Sequence, residues 1–120
     1  MSDFEARVRI ERPMAAIDLS GIIDGGAESA LDAAYVECDE AAAGTIGLDF
    51  TRVDYINSTG IALLVSLLAK ARLDDRPVTA WGLSDHYREI FEITRLADFL
   101  EVVTDEQAAR AATGTATGEG

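Results

Sequence analysis

The residues best equipped for chemistry lie together in Asp49-Phe50-Thr51-Arg52-Val53-Asp54-Tyr55-Ile56-Asn57-Ser58-Thr59-Gly60-Ile61, where a β-forming run gives way to a polar loop and then to two hydroxyls. Asn57 and Ser58 are both of the type that caps a helix, the side-chain oxygen accepting from a free backbone N–H two or three residues on. Gly60 removes a side chain, so another surface can approach that helix's first turn. A helix start carries roughly half a positive charge, which stabilises a nearby anion by ~0.3–1 kcal/mol at an exposed site. A phosphate would fit there. Asp24 follows two apolar residues at a strand end and is either a turn residue or a neighbour of the same loop. Catalysis would need Ser58 as nucleophile, His86 as base and an aspartate as orienter, because His86 is the chain's one histidine. There is no Gly-x-Ser-x-Gly elbow, no Walker-type glycine loop and no His/Glu metal pair, so the chain is not expected to be an enzyme. One cysteine, Cys38, excludes an intramolecular disulfide, and one histidine argues against a Cys/His zinc site. No cofactor and no metal are expected.

These residues have to be positioned by elements read from periodicity and punctuation. Residues 4–10 alternate apolar and polar in the manner of a half-buried strand, Pro13 with Met14 turns the chain, and 15–19 returns as a second strand. Gly21, Gly25 and Gly26 bracket Asp24. A helix over 27–42 follows, with Leu31, Ala34, Tyr35, Cys38 and Ala42 on its apolar stripe, and Gly44 closes it. Residues 45–50 read as a strand buried on both faces, hence central, followed by a loop over 51–57. The helix from Ser58 to Asp74 should turn Ile61, Leu64, Val65 and Leu68 inward, leaving Leu67 on the flank and Leu63 partly exposed. Val78 to Leu83 reads as another buried strand. Ser84 caps a helix with Tyr87, Ile90, Phe91 and Thr94 on one face, the first three expected in the core, and with His86 exposed at its start. Residues 100–103 form a last strand, and Thr104 and Asp105 offer a cap for a helix ending near Ala112. The tail 113–120 holds only Gly, Thr, Ala and Glu and is expected to be disordered. Alternating strands and helices require crossovers. The expected fold is therefore α/β, one domain over 1–112, with a mixed, mostly parallel sheet of four to five strands and about four helices.

At 120 residues and 12.8 kDa the chain is one folding unit. Ten Lys and Arg against 22 Asp and Glu leave a charge of −12, the wrong sign for nucleic-acid phosphates or an anionic membrane. The apolar run 61–69 is far short of the ~20 residues of a bilayer span, and the acidic start does not read as a signal peptide. A cytoplasmic protein, monomeric or weakly dimeric, is expected. Its acidic surface would complement a basic patch on a partner.

Asn57-Ser58-Thr59-Gly60-Ile61, preceded by Leu48-Asp49-Phe50 and by Gly21-Ile22-Ile23-Asp24, resembles the STAS domain of bacterial anti-sigma factor antagonists. The run Glu89-Ile90-Phe91-Glu92-Ile93-Thr94-Arg95-Leu96 is similar too, and the likeness covers about Val8 to Gln107. The resemblance implies a domain that binds an anti-sigma factor, itself a serine kinase, and so releases a sigma factor. It implies phosphorylation at Ser58, with Thr59 the alternative, which ends the interaction, and a PP2C-type phosphatase that restores it. Asp24, Asn57, Ser58, Thr59, Gly60, Ile61 and Leu63 are the partner-binding residues expected on this basis. Where Asn57 stands the family most often has aspartate. Asparagine caps a helix equally well but brings no negative charge, so a phosphate on Ser58 should meet less repulsion. The alternative is a STAS subunit of a signalling scaffold, or an accessory partner of a transporter ATPase. A chain consisting of the domain alone favours the antagonist.

Overall fold

The N-terminal alternation builds a hairpin: β1 (Phe4–Glu11) runs antiparallel to β2 (Met14–Ile23), from Phe4 opposite Gly21 to Glu11 opposite Met14. The computed structural model describes residues 3–119, with side chains as far as 112. Each later strand joins in parallel after a helical crossover: α1 (Glu28–Glu40) leads to β3 (Thr45–Ile56), α2 (Ser58–Leu73) to β4 (Val78–Trp81), and α3 (Asp85–Ile93) to β5 (Glu101–Val102). The sheet order is β1-β2-β3-β4-β5, and α4 (Glu106–Glu119) follows. The result is the mixed, mostly parallel five-stranded sheet and four helices that the alternation of elements demands.

The two faces of the sheet are covered unequally. On one, Ala15, Ile17 and Leu19 of β2 and Ile46, Leu48 and Phe50 of β3 pack with buried residues of α1, α2 and α3. Phe50 meets Phe91 of α3 edge to face, with ring centroids 5.6 Å apart. Cys38 is buried in this layer, and burial pushes its thiol up to about 11. On the other face Met14, Ala16 and Trp81 pack against Ala109 of α4. A Cβ at Gly47 would lie 2.7 Å from the Trp81 ring, so glycine there lets the indole cross β3. Charges clasp α4 in place. Arg9 donates to Asp18 Oδ2 (2.7 Å) and to Glu106 Oε1 (3.0 Å), and Arg110 Nε donates to Glu106 Oε2 (2.8 Å). The Arg9 hydrogen bonds hold the Glu106 carboxyl below its ordinary value.

The structure corrects the sequence expectation in several places. β3 continues to Ile56 through the segment expected as a loop, because β2 also continues and supplies partners: Ser20 pairs with Arg52, Gly21 with Val53, Ile22 with Tyr55 and Ile23 with Ile56, across two shifts of register. The left-handed residue after α1 is Ala42, with φ 55°, and not Gly44, whose N–H donates to Pro13 O at 3.2 Å. Ala42 is accordingly exposed and off the apolar stripe. In α2 the inward face is Gly60, Leu64, Leu67, Leu68 and Ala71. Leu67 is buried where the flank was expected, and Val65 is 46% exposed. Gly60 sets that rotation: it sits so close to the end of β2 that a Cβ there would collide with the Ile23 carbonyl oxygen. Helix α4 extends past Ala112, but the side chains of 113–120 lie outside the described residues, and so does the expectation of disorder there.

Candidate interaction site at the start of the second helix

Asn57 leaves the strand with extended backbone (φ −95°, ψ −177°), and its side-chain oxygen accepts from Gly60 N at 2.8 Å. Asn57 is thus the cap of α2. Its own N–H donates to Ile23 O at 3.2 Å, tying the end of β2 to the start of the helix. Ser58 is consequently relieved of capping. It is the first helical residue, exposed, and its hydroxyl takes no part in a hydrogen bond with any described residue. A free alcohol at an electropositive helix start can be gripped by a partner or carry an anion.

Thr59 is also exposed, and its methyl faces Gly25. Asp24 is half-buried and caps the 3-10 turn Gly25–Ala27, Oδ1 accepting from Gly26 N at 2.9 Å. Asp24 therefore stands next to the first turn of α2, with its carboxylate already engaged locally. The surface that the missing side chain of Gly60 admits is the chain's own Ile23, and Gly60 is buried. Leu63 is half-buried but lines a depression between α1 and α2, away from the serine.

Ser58 opens instead onto a groove of about 390 Å³ between α2 and α3, lined by Tyr55, Asn57, Ile61, His86, Tyr87 and Ile90 among others. Of the expected site residues the groove collects Asn57, Ser58 and Ile61; Asp24, Thr59, Gly60 and Leu63 do not line it. Tyr55, His86, Tyr87 and Ile90 were not expected in a site. Tyr87 and Ile90, expected in the core, are half-buried. The signal that finds them is topological: the loops that follow parallel strands share one edge of the sheet, so the start of α3 must neighbour the start of α2. His86 lines the groove with Ser58, and its ring meets that of Tyr87 at 4.9 Å, edge to face. No hydrogen bond joins it to Ser58 or to a carboxylate among the described residues. The arrangement is a groove with mixed polar and apolar walls and the Ser58 hydroxyl free at its rim. No group of His, Cys, Asp and Glu that could hold a metal occurs among the described residues, and none of their helices is long and apolar enough to cross a membrane.

The family model described as "Mlab, STAS domain" matches residues 6–104. The chain belongs to the STAS domain family. Among relatives of this STAS domain, an anti-sigma-B factor antagonist of Listeria monocytogenes is 36% identical over 55 residues, 46% of this chain and 48% of that protein. The match thus spans about half of that relative's length. The anti-sigma factor antagonist SpoIIAA in its unphosphorylated form superposes with a TM-score of 0.69 at 16% identity, covering 92% of this chain and 97% of that one. SpoIIAA of Bacillus in the phosphorylated form gives 0.66 at 21% identity, with 89% and 98% covered. A sulfate transporter family protein of Wolinella succinogenes gives 0.77 at 16% identity, with 89% of each chain covered. At these identities the structural likeness establishes the fold.

Proposed function

We propose that this STAS domain is an anti-sigma factor antagonist: it binds an anti-sigma factor that is a serine kinase, thereby releases a sigma factor, and is switched off when the kinase phosphorylates Ser58. A PP2C-type phosphatase would reset it. The observation that carries the reading is the division of labour at the start of α2, where Asn57 does the capping and leaves the Ser58 hydroxyl exposed and unengaged. The names of the Listeria relative and of SpoIIAA support the same class of partner.

The switch needs no refolding. In the free protein a phosphate on Ser58 would be solvated and favoured by the helix dipole, whereas in the complex it brings bulk and a charge of −1.5 to −2 into a surface shaped for a hydroxyl. A loss of ~3–4 kcal/mol would weaken binding by two to three decades. Incubation with serine kinases encoded by the same organism plus ATP, followed by intact mass and site mapping, should find one phosphate, on Ser58. Ser58→Glu should bind that kinase ~100- to 1000-fold more weakly with an unchanged circular dichroism spectrum. Normal binding by this variant would refute the switch.

The alternative, a subunit of a signalling scaffold or an accessory partner of a transporter ATPase, draws on the likeness to the Wolinella sulfate transporter family protein. Size-exclusion chromatography separates the two readings. An antagonist forms a stoichiometric complex with a free kinase, and a scaffold subunit assembles with sister subunits.

A further inference from the structure

β4 ends at Trp81 and pairs with β3 only from Ile46 to Asp49, so the last residues of β3 have β2 on one side and no strand on the other. Backbone N–H groups along a strand point alternately to the two sides. Asn57 N–H points to β2 and finds Ile23 O; Ile56 N–H points away and would have no strand to receive it. It donates to the Tyr87 hydroxyl at 2.9 Å. Ile56 is 5% exposed, so losing this acceptor would strand a buried donor at the residue before the cap of α2.

The Tyr87 ring itself is incompletely packed. It stands as a partition between the groove at Ser58 and a second depression of about 160 Å³, lined by Phe50, Thr51, Val53 and Gly82 among others. The ring packs against the core on part of its surface only, and the hydrogen bond to Ile56 adds a fixed point at its tip.

We propose that Tyr87 is the positioning residue of the Ser58 site: its hydroxyl stands in for the missing strand, holds the end of β3, and through Asn57 fixes where α2 presents the serine. The same side chain is a wall of the groove, so a partner seated against α3 is coupled through one hydrogen bond to the segment that carries Ser58. This inference rests on the reading of Ser58 as the switched contact.

Tyr87→Phe keeps the ring and removes the acceptor. Amide hydrogen exchange followed by NMR should then quicken about 10-fold at Ile56 and Asn57, while Ile46 and Leu48 in the middle of β3 keep their wild-type rates. Affinity for the kinase should fall about 10-fold under conditions where both proteins are fully folded by circular dichroism. Ile90→Ala, which trims the groove wall and leaves the tether, should lower affinity with no change in exchange at Ile56. Unchanged exchange at Ile56 and Asn57 in Tyr87→Phe, uniform quickening along all of β3, or local quickening with unchanged affinity would each overturn the positioning role. Should the wild-type protein neither bind nor be phosphorylated by any such kinase, the functional reading fails, and the exchange rates still decide whether Tyr87 holds the segment.

Discussion

Asn57 and Ser58 are types that perform one another's work, and what separates them is a single turn of backbone. Asn57 occupies the extended position before the helix and commits its oxygen to Gly60 N; Ser58, one residue on, is inside the helix with its hydroxyl free. Asn57→Asp should leave stability within ~0.5 kcal/mol, since both residues cap, but it adds a negative charge beside the phosphate proposed on Ser58. The phosphorylated Asn57→Asp variant should therefore lose its phosphate to a PP2C-type phosphatase at a rate different from wild type; identical phosphorylation, dephosphorylation and partner affinity would refute a role for the missing charge. Gly60 acts by what it lacks. Gly60→Ala would drive a methyl into the Ile23 carbonyl and should cost ~1–3 kcal/mol in urea unfolding, with α2 displaced from β2. Both residues drew attention in the sequence, yet for Gly60 the inferred neighbour was a foreign surface when it is the chain's own β2.

Polar residues misled the reading of elements more than apolar ones did. Thr51, Arg52 and Asp54 look like a loop because they are polar, and they are exposed; they are nonetheless strand, because β2 runs on beside them. In α2 the apolar residues are too many to define one stripe, so periodicity admits Val65 or Leu67 as the inward residue, and contact between Gly60 and Ile23 decides for Leu67. The cap of α4 was legible, with Asp105 Oδ1 accepting from Ala108 N at 2.8 Å, but the clasp that docks this helix was not. That clasp has a pH signature. Glu106 is held below its ordinary 4.5 in the folded protein by Arg9, so its contribution is present above the unfolded value and is lost as pH falls through the folded one. In urea unfolding, wild type should be more stable than Glu106→Gln at pH 7, and the two midpoints should converge as pH falls below the lowered folded-state value of Glu106. A difference that persists unchanged in acid would mean the carboxylate charge contributes nothing.

At the scale of the molecule, a charge of −12 should affect how the proposed kinase arrives more than how tightly it is held. Raising salt from about 0.05 to 0.5 M should slow kinase association about 10-fold or more and leave dissociation nearly unchanged, as stopped-flow mixing would measure; a salt-independent association rate would exclude electrostatic steering. What the chain determined by itself was the order of strands and helices, most caps, the buried character of β3 and β4, and the segment holding Ser58. Each of these depends on residues within a turn or two of one another, where periodicity and capping chemistry act. The tertiary structure alone decided which side of α2 faces in, how far β3 extends, and that Tyr55, His86, Tyr87 and Ile90 join Ser58 around one groove. Those outcomes depend on contacts between residues far apart in the chain, Ile23 with Gly60 and Ile56 with Tyr87, which exist only once the parallel crossovers have brought their strand ends to the same edge of the sheet.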